Sequence, residues 1–384
     1  MTDKSKHVPQ GYKDSPLGII PKEWEVKRIL DFAPLQRGFD LPTEKIVKGA
    51  YPVVYSNGIL NFHIEYKAKG PGVVTGRSGT IGKVTYVESD YWPHNTSLWV
   101  TDFKGNNPKY VYYVYKYIGL SKFSSGSGVP TLNRNDVHVS KIAIPPIEEQ
   151  GCIVKVLELW DSAIEKQSEL IEKLKLRKRA LMQQLLTGKK RLPGFSGEWK
   201  EVKLGDVFDE RNETNRDGLS LLSITGDRGV IYQSDSDKRD ISNDDKSKYK
   251  RICPNDIGYN TMRMWQGRSA LSALEGIVSP AYTIVTPRES VNVKFMAMLI
   301  QQSRVVYDFW THSQGLVSDT LNCKYPDFCQ VKVHIPTREE QTAIASVLVQ
   351  ADKEIELAKE KLNNLQSQKR GLMQQLLTGK KRII

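Results

Sequence analysis

An eleven-residue string, LMQQLLTGKKR, occupies Leu181 to Arg191 and returns unchanged at Leu372 to Arg382, 191 residues later. The triplet Glu148-Glu149-Gln150 returns at the same offset of 191 as Glu339-Glu340-Gln341, so the stretch between triplet and string is duplicated without insertion or deletion. A chain built this way has to fold as two copies of one plan.

Both copies carry the seven-residue spacing of a coiled-coil seam. In the first, the seam runs Ile153, Leu157, Trp160, Ile164, Gln167, Ile171, Leu174, Lys178, Leu181, Leu185. In the second it runs Ile344, Leu348, Ala351, Ile355, Ala358, Leu362, Leu365, Lys369, Leu372, Leu376. Acids at Glu148, Glu149, Glu158 and Asp161 and bases at Lys175, Arg177, Lys178 and Arg179 suit the helix macrodipole. Thr187-Gly188 and Thr378-Gly379 supply left-handed stops. About 40 residues at roughly 1.5 Å each predict a spacer on the order of 60 Å long. So narrow a seam needs a partner: the other copy in the same chain, or a helix of another chain. Intrachain pairing of the antiparallel kind would relate the halves by an approximate two-fold axis and set one domain at each end. Gln167, Lys178 and Lys369 in the seam either fix register or mark a frayed seam.

The non-helical parts repeat as well. Glu23-Trp24-Glu25-Val26-Lys27 parallels Glu198-Trp199 and Val202-Lys203, and the second interior is longer by 15 residues. The resulting organisation is an N-terminal tail (1–21), a first domain (22–147), a spacer helix with linker (148–192), a second domain (193–338) and a second spacer helix (339–384). Leu192-Pro193-Gly194-Phe195-Ser196-Gly197 reads as the linker. Short β-rich runs cut by glycine (Tyr51 to Tyr55, Gly72 to Thr75, Lys83 to Val87, Ser97 to Val100), a helix over Asn107 to Ile118, a flexible loop over Ser124 to Gly128 and an edge strand ending at Pro145-Pro146 predict a mixed α/β domain. The fold class is α+β: two such domains separated by two long helices, in an internal repeat of pseudo-two-fold symmetry. Constant helices with diverged domains suggest one scaffold that carries two different readers.

Few enzyme classes survive inspection. There is no N/D-P-P-Y/F segment, no GxG after a hydrophobic strand and no GxxxxGK[ST] loop. Gly76 to Lys83 resembles a phosphate cradle, but its glycine spacing is wrong and Val84 stands where a magnesium-binding hydroxyl is needed. Pro326-Asp327 with Lys332 hints at a nuclease set, yet Gln330 replaces the second acid. Cys152, Cys253, Cys323 and Cys329 have neither CxxC spacing nor a histidine cluster, which argues against zinc and disulfides and for a reducing cytoplasm. No run of about 18 apolar residues spans a membrane.

A net charge of +12 fits a polyanion instead. Two pairs of matched loops are equipped to meet one. Between strands, Arg77, Ser78, Thr80 and Lys83 reach toward phosphates or base edges, with glycines exposing backbone amides. Asn260, Arg263, Trp265, Gln266 and Arg268 occupy the comparable place in the second domain, and Arg, Asn and Gln are the residues that bond guanine and adenine through two atoms at once. Trp265 reads equally well as a core anchor, and each loop equally well as a solvated turn. Ahead of the closing strands, Ser125, Ser127 and Arg134 match Ser313 and Gln314, with Thr131-Leu132-Asn133 and Thr320-Leu321-Asn322 beginning the last elements.

At this point the residues resemble a known family. Domain, long helix, domain, long helix, the I-P-P-x-E-E-Q lead at Ile144 to Gln150, the L-x-x-x-L-L-T-G close and the GIIPKEWEVKRI opening from Gly18 are similar to the specificity subunit of type I restriction-modification enzymes. The second lead, Ile335-Pro336-Thr337-Arg338-Glu339, is one proline short of that pattern. The resemblance implies two target-recognition domains that read the halves of a split, asymmetric site in double-stranded DNA, roughly one or more turns of about 34 Å apart, and helices that set the gap. It implies docking of two methyltransferase subunits and of restriction subunits, with S-adenosylmethionine, ATP and magnesium on those partners and no cofactor, metal or catalytic residue on this chain. Two rivals stand beside it: an autonomous DNA-modifying enzyme, revealed by activity of the chain alone, and a coiled-coil adaptor that binds only proteins, revealed by failure to retain duplex DNA.

Overall fold

Glycine-punctuated runs of the first domain fold as short strands around a main aromatic core and two smaller hydrophobic clusters. The structure is a computed structural model and describes residues 8–125, 128–216, 218–226, 228–236, 245–315 and 320–383. It divides into two units, residues 1–168 with 360–384, and residues 169–359.

In the first unit, Tyr12–Ser15 (β1) and Gly18–Pro21 (β2) form an antiparallel hairpin where the sequence predicted a tail. Ile20 is buried, so this segment is held to the core. Then follow Glu25–Arg28 (β3), Ile29–Phe32 (α1), Leu35–Arg37 (β4), Tyr51–Tyr55 (β5), Gly58–His63 (β6), Gly72–Gly76 (β7), Val84–Val87 (β8), Trp92–Pro93 (β9) and Ser97–Val100 (β10). Pro108–Ile118 (α2) is capped by the Asn107 side chain, with proline at its first position. Ser124–Ser125 (β11), Thr131–Leu132 (β12), Arg134–His138 (α3) and Lys141–Ile144 (β13) complete the domain. The main sheet has the order β4-β10-β7-β8, a second has β6-β5-β9, and β13 closes the domain by pairing with β3.

From Ile147 the chain enters a helix of 39 residues, Ile147–Leu185 (α4). The second unit repeats the plan with Lys200–Lys203 (β14), Leu204–Val207 (α5), Phe208–Glu210 (β15), Leu222–Thr225 (β16), Gly229–Tyr232 (β17), Lys250–Ile252 (β18), Ile257–Asn260 (β19), Ser269–Leu271 (β20), Gly276–Val278 (β21) and Tyr282–Pro287 (β22). Helices Val293–Leu299 (α6), Ser303–His312 (α7) and Tyr325–Gln330 (α8), strand Lys332–Ile335 (β23) and a second helix of 39 residues, Arg338–Leu376 (α9), finish it. Sheet β15-β22-β19-β20 matches β4-β10-β7-β8, and β14-β23 matches β3-β13. The units diverge in their second sheets, β6-β5-β9 in the first against the pairs β16-β17 and β18-β21 in the second, and in their helices.

Each unit holds a segment of both long helices. In the first, Trp24, Phe32, Tyr110 and Tyr115 pack with Ile153 and Leu157 of α4 and with Met373 and Leu376 of α9. In the second, Phe208, Tyr259, Phe295 and Phe328 pack with Leu185 and Leu186 of α4 and with Ile344 and Leu348 of α9. All the seam positions named above are buried or half-buried, as a seam that sheds water requires.

The seam lysines have acid partners. Lys369 pairs with Asp161 in the first unit, and Lys178 with Asp352 in the second. Asp161 also accepts a hydrogen bond from Tyr113 Oη at 2.7 Å, and the Lys369 ammonium lies 5.2 Å from the Tyr113 ring centre. Burial penalises the Asp161 carboxylate, but bonds from Lys369 and Tyr113 outweigh it and hold the carboxyl below its usual range. A second pair of contacts has the same reciprocity. Past the left-handed Gly379 (φ +70°), Arg382 bonds Glu149 at 3.0 Å; past Gly188 (φ +68°), Arg191 grips Glu340 through two bonds of 2.6 and 2.5 Å. These are the duplicated triplet and string meeting, each inside its own unit.

Candidate nucleic-acid interface

In the first domain the candidate residues sit where β7 turns into β8. A Cβ at Gly76 would lie 1.8 Å from the Thr80 carbonyl oxygen, so the loop doubles back on its own strand end and only glycine fits. The expected free amides are not free. Arg77 and Ser78 donate theirs to the Thr96 carbonyl at 2.8 and 3.2 Å, and Gly79 donates to Pro130 at 3.0 Å. What the loop offers is side chains: half-buried Arg77 and Ser78, exposed Thr80 and Lys83. Lys83 Nζ donates to the Asn57 carbonyl at 2.5 Å.

Those bonds join the two loops that the sequence treated separately. Leu132 N donates to the Arg77 carbonyl at 2.8 Å, which places β12 and the exposed Ser125 and Arg134 beside the β7–β8 loop. Asn133 caps α3, directly before Arg134. Ser127, with its neighbour Gly126, lies outside the described residues.

The second domain repeats the arrangement in different letters. Thr261 N donates to Ala281 O at 3.2 Å and Cys323 N donates to Thr261 O at 2.9 Å, in the roles of Arg77, Thr96 and Leu132. Asn260 spends its side-chain oxygen on the Met262 amide at 3.0 Å, capping the 3₁₀ turn Thr261–Gln266. Met264, fully buried, is the core anchor of this loop; Trp265 is half-buried and donates Nε1 to the Met262 carbonyl at 3.0 Å. Arg263, Gln266 and Arg268 are exposed. The adjoining segment is pinned by reciprocal Gln314–Asn322 backbone bonds of 2.9 and 2.8 Å, with Gln314 Nε2 donating to Asp327 Oδ1 at 3.2 Å and Ser313 Oγ donating to Phe309 O at 2.7 Å. Residues 316–319 of this loop lie outside the described residues.

A third loop in each domain escaped the sequence reading. The β5–β6 turn brings Ser56 and Asn57 against the β7–β8 loop, Asn57 through Lys83 and Ser56 through its amide on Thr96 Oγ1 at 3.4 Å. The β16–β17 turn brings Gly226 against Arg268. Asn57-Gly58, with Gly58 at φ +110°, is a hairpin signal that could have found the first. Near it, Asn61 Nδ2 donates to Tyr55 Oη at 3.2 Å and the Tyr55 and His94 rings lie 4.3 Å apart. Burial pushes the His94 imidazole below its usual pKa, partly offset by a Leu41 backbone bond.

Several arginines of the second domain are held by acids, as in Arg211–Asp256, Arg251–Glu275 and Arg288–Asp209. Among the described residues, no ion pair holds Arg77, Lys83, Arg134, Arg263 or Arg268. Unspent guanidinium groups on small-residue loops can bond phosphate oxygens or guanine edges. The residues of the nuclease hint are occupied: Asp327 Oδ2 accepts from the Lys324 amide at 3.1 Å to cap α8, and Lys332 bonds Glu201 at 2.8 Å. Among the described residues no group of three or more His, Cys, Asp or Glu side chains is placed to hold a metal ion, and no helix is long and apolar enough to cross a membrane.

Known proteins share this plan. Residues 21–176 and 196–367 each match the family described as the type I restriction modification DNA specificity domain. The chain is 23% identical over 406 residues to the type I restriction enzyme MjaVIII specificity subunit of Methanocaldococcus jannaschii, covering 95% of this chain and 94% of that one. It is 23% identical over 159 residues to the EcoprrI specificity subunit of Escherichia coli, covering 39% and 40%. Among solved structures, a type I restriction-modification S subunit from M. genitalium superposes with a TM-score of 0.55 at 14% identity, over 92% of this chain and 96% of that one. A chain from a structure on complex assembly and conformational transition of the type I R-M system gives 0.59 at 14% identity, over 94% and 99%. With both of its repeats matched, this chain belongs to the type I restriction-modification DNA specificity family.

Proposed function

We propose that the chain is the DNA-reading subunit of a type I restriction-modification complex, and that each domain reads one half of a split, asymmetric site. One observation carries this reading: the two domains share a pair of backbone bonds, made by the amide and the carbonyl of Arg77 and of Thr261, while the side chains of Arg77 to Lys83 and of Asn260 to Arg268 differ. A shared scaffold with different contacts is what two half-sites of different sequence require. Arg77, Ser78, Thr80, Lys83, Ser125 and Arg134 contact one half, and Asn260, Arg263, Trp265, Gln266, Arg268, Ser313 and Gln314 the other.

In this reading α4 and α9 form one intramolecular antiparallel coiled coil with pseudo-two-fold symmetry. Asp161–Lys369 and Lys178–Asp352 support it, because each joins an earlier position of one helix to a later position of the other, and the pairs are related by the repeat offset. The spacer sets the gap between half-sites and docks two methyltransferase subunits and the restriction subunits. Transfer of a methyl group to adenine, with S-adenosylmethionine, and ATP- and magnesium-dependent cleavage belong to those partners in the cytoplasm.

Genome-wide mapping of modified adenines in cells with the partner methyltransferase, with and without this chain, tests the reading. A single bipartite motif that appears only with the chain is expected. Methylation by the purified chain alone would establish the rival autonomous enzyme, and identical maps would remove the chain from site selection.

A further inference from the structure

We infer that a cleft in the second domain seats a phosphate of the DNA backbone, so that Arg268 positions the duplex rather than reading a base. This rests on the DNA-reading role proposed above. The cleft, about 450 Å³, lies where three segments converge: Gly226 at the β16–β17 turn, Gln266 to Ser269 between the 3₁₀ turn and β20, and Gln301, Ser303 and Val306 at the start of α7.

Several features of its wall favour an anion. The residue before α7, Gln302, provides no side-chain cap, whereas α6 is capped by Asn292 and α2 by Asn107. The first amides of α7 therefore lack the partner that a cap would give. Its first turn contains no acid, and Arg304 stands at the second position, where the helix dipole disfavours a cation unless an anion is present. The Arg268 guanidinium has no ion pair among the described residues. Ser269 lines the same cleft, is 7% exposed, and its hydroxyl has no hydrogen-bond partner among the described residues. A Cβ at Gly226 would lie 2.1 Å from Arg268 Nη1, and one at Gly267 (φ +73°) would lie 3.1 Å from Val306 Cγ2, so two glycines let the arginine and the helix start approach one another. A guanidinium, an uncapped helix start and a buried hydroxyl on one cleft are the donor set that phosphate oxygens accept from.

The test compares wild type, Arg268→Ala and Ser303→Asp, each as the full chain in the complex it purifies with, by duplex binding against salt concentration and by thermal unfolding. Arg268→Ala is expected to weaken binding about tenfold, by the same factor for the recognised duplex and for unrelated ones. It should also reduce the slope of log affinity against log salt by about 0.9. Ser303→Asp places a carboxylate at the helix start, so affinity should fall in the same uniform way while the unfolding temperature holds or rises; a misfolded variant would lower both. A loss confined to duplexes altered at one base pair would make Arg268 a base reader and overturn the phosphate seat, as would unchanged affinity in both variants. Protection of the wild type by inorganic phosphate, with duplex binding indifferent to Arg268→Ala, would assign the cleft to a free anion and overturn it as well. A wild-type complex that binds no duplex refutes the DNA-reading role itself.

Discussion

Asp161 and Asp352 hold the same position in the two repeats and face equivalent seam lysines, yet removing them should have unequal consequences. Lys369 is 7% exposed and Asp161 42%, whereas Lys178 is 25% exposed and Asp352 47%. Asp161→Ala leaves a buried ammonium without its acid and Tyr113 Oη without its acceptor. Breaking a fully buried pair costs about 3–5 kcal/mol. Water reaches the Asp161 side, and the Tyr113 ring retains some attraction for the cation, so the expected cost is about 2–3 kcal/mol. The Lys178–Asp352 pair is more solvated, and Asp352→Ala should cost about 1 kcal/mol or less. Any gain in helix propensity from alanine is common to both and cancels. Native-state hydrogen exchange resolves the two units: protection at 147–168 and 360–376 should fall in Asp161→Ala about tenfold further than protection at 169–185 and 338–359 falls in Asp352→Ala. Equal losses would refute the argument that burial rather than the pairing itself decides the cost.

Three further outcomes follow from the geometry. Gly379→Ala forces an L side chain to φ +70° with its Cβ 2.5 Å from Pro21; a loss of about 1–2 kcal/mol is expected in chemical unfolding, and Gly188→Ala, whose nearest neighbour is a Trp199 ring atom at 3.3 Å, should lose less. Glu213 is pulled down to about 2, chiefly by hydrogen bonds from Arg251 and Arg211. Its stabilising contribution is complete above the ordinary glutamate pKa of about 4.3 and disappears as pH falls toward 2, so acid titration should show a loss of second-domain stability in that window that Glu213→Gln lacks. Arg77→Ala and Arg263→Ala should each relax recognition in one half-site only, a different half for each, with about 1–3 kcal/mol of discrimination lost; methylation maps that degrade in both halves for either variant would contradict the assignment of one domain to one half.

What the sequence made legible was local or periodic. A seven-residue repeat is a property of neighbours along one helix, so the course of α4 and α9 could be traced letter by letter. Gly76, Gly79 and Gly82 announced a tight loop because such turns are written in a few consecutive residues. Contacts across long separations were out of reach. Nothing near Arg77 indicates that its amide belongs to Thr96, or near Gly79 that its amide belongs to Pro130. The seam lysines stayed ambiguous between register and fraying because their acids lie on the other helix, as Asp161 does for Lys369. Residues 12–21 looked like a polar tail since only Ile20 and Pro21, at their end, are buried, and the β5–β6 turn was overlooked although Asn57-Gly58 marks it. Asn260, a candidate base reader by residue type, turns out to spend its oxygen on a cap.

The proposed function requires that the spacer fix the distance between two independent readers. Deleting one heptad from each helix, residues 170–176 and 361–367, keeps the seam in phase and shortens it by about 10 Å, or roughly three base pairs at 3.4 Å each. Mapping methylated adenines in cells that carry this variant with its partner subunits should return both half-sites unaltered with a gap about three base pairs shorter. An unchanged gap, or half-sites that change while the gap stays, would contradict the account.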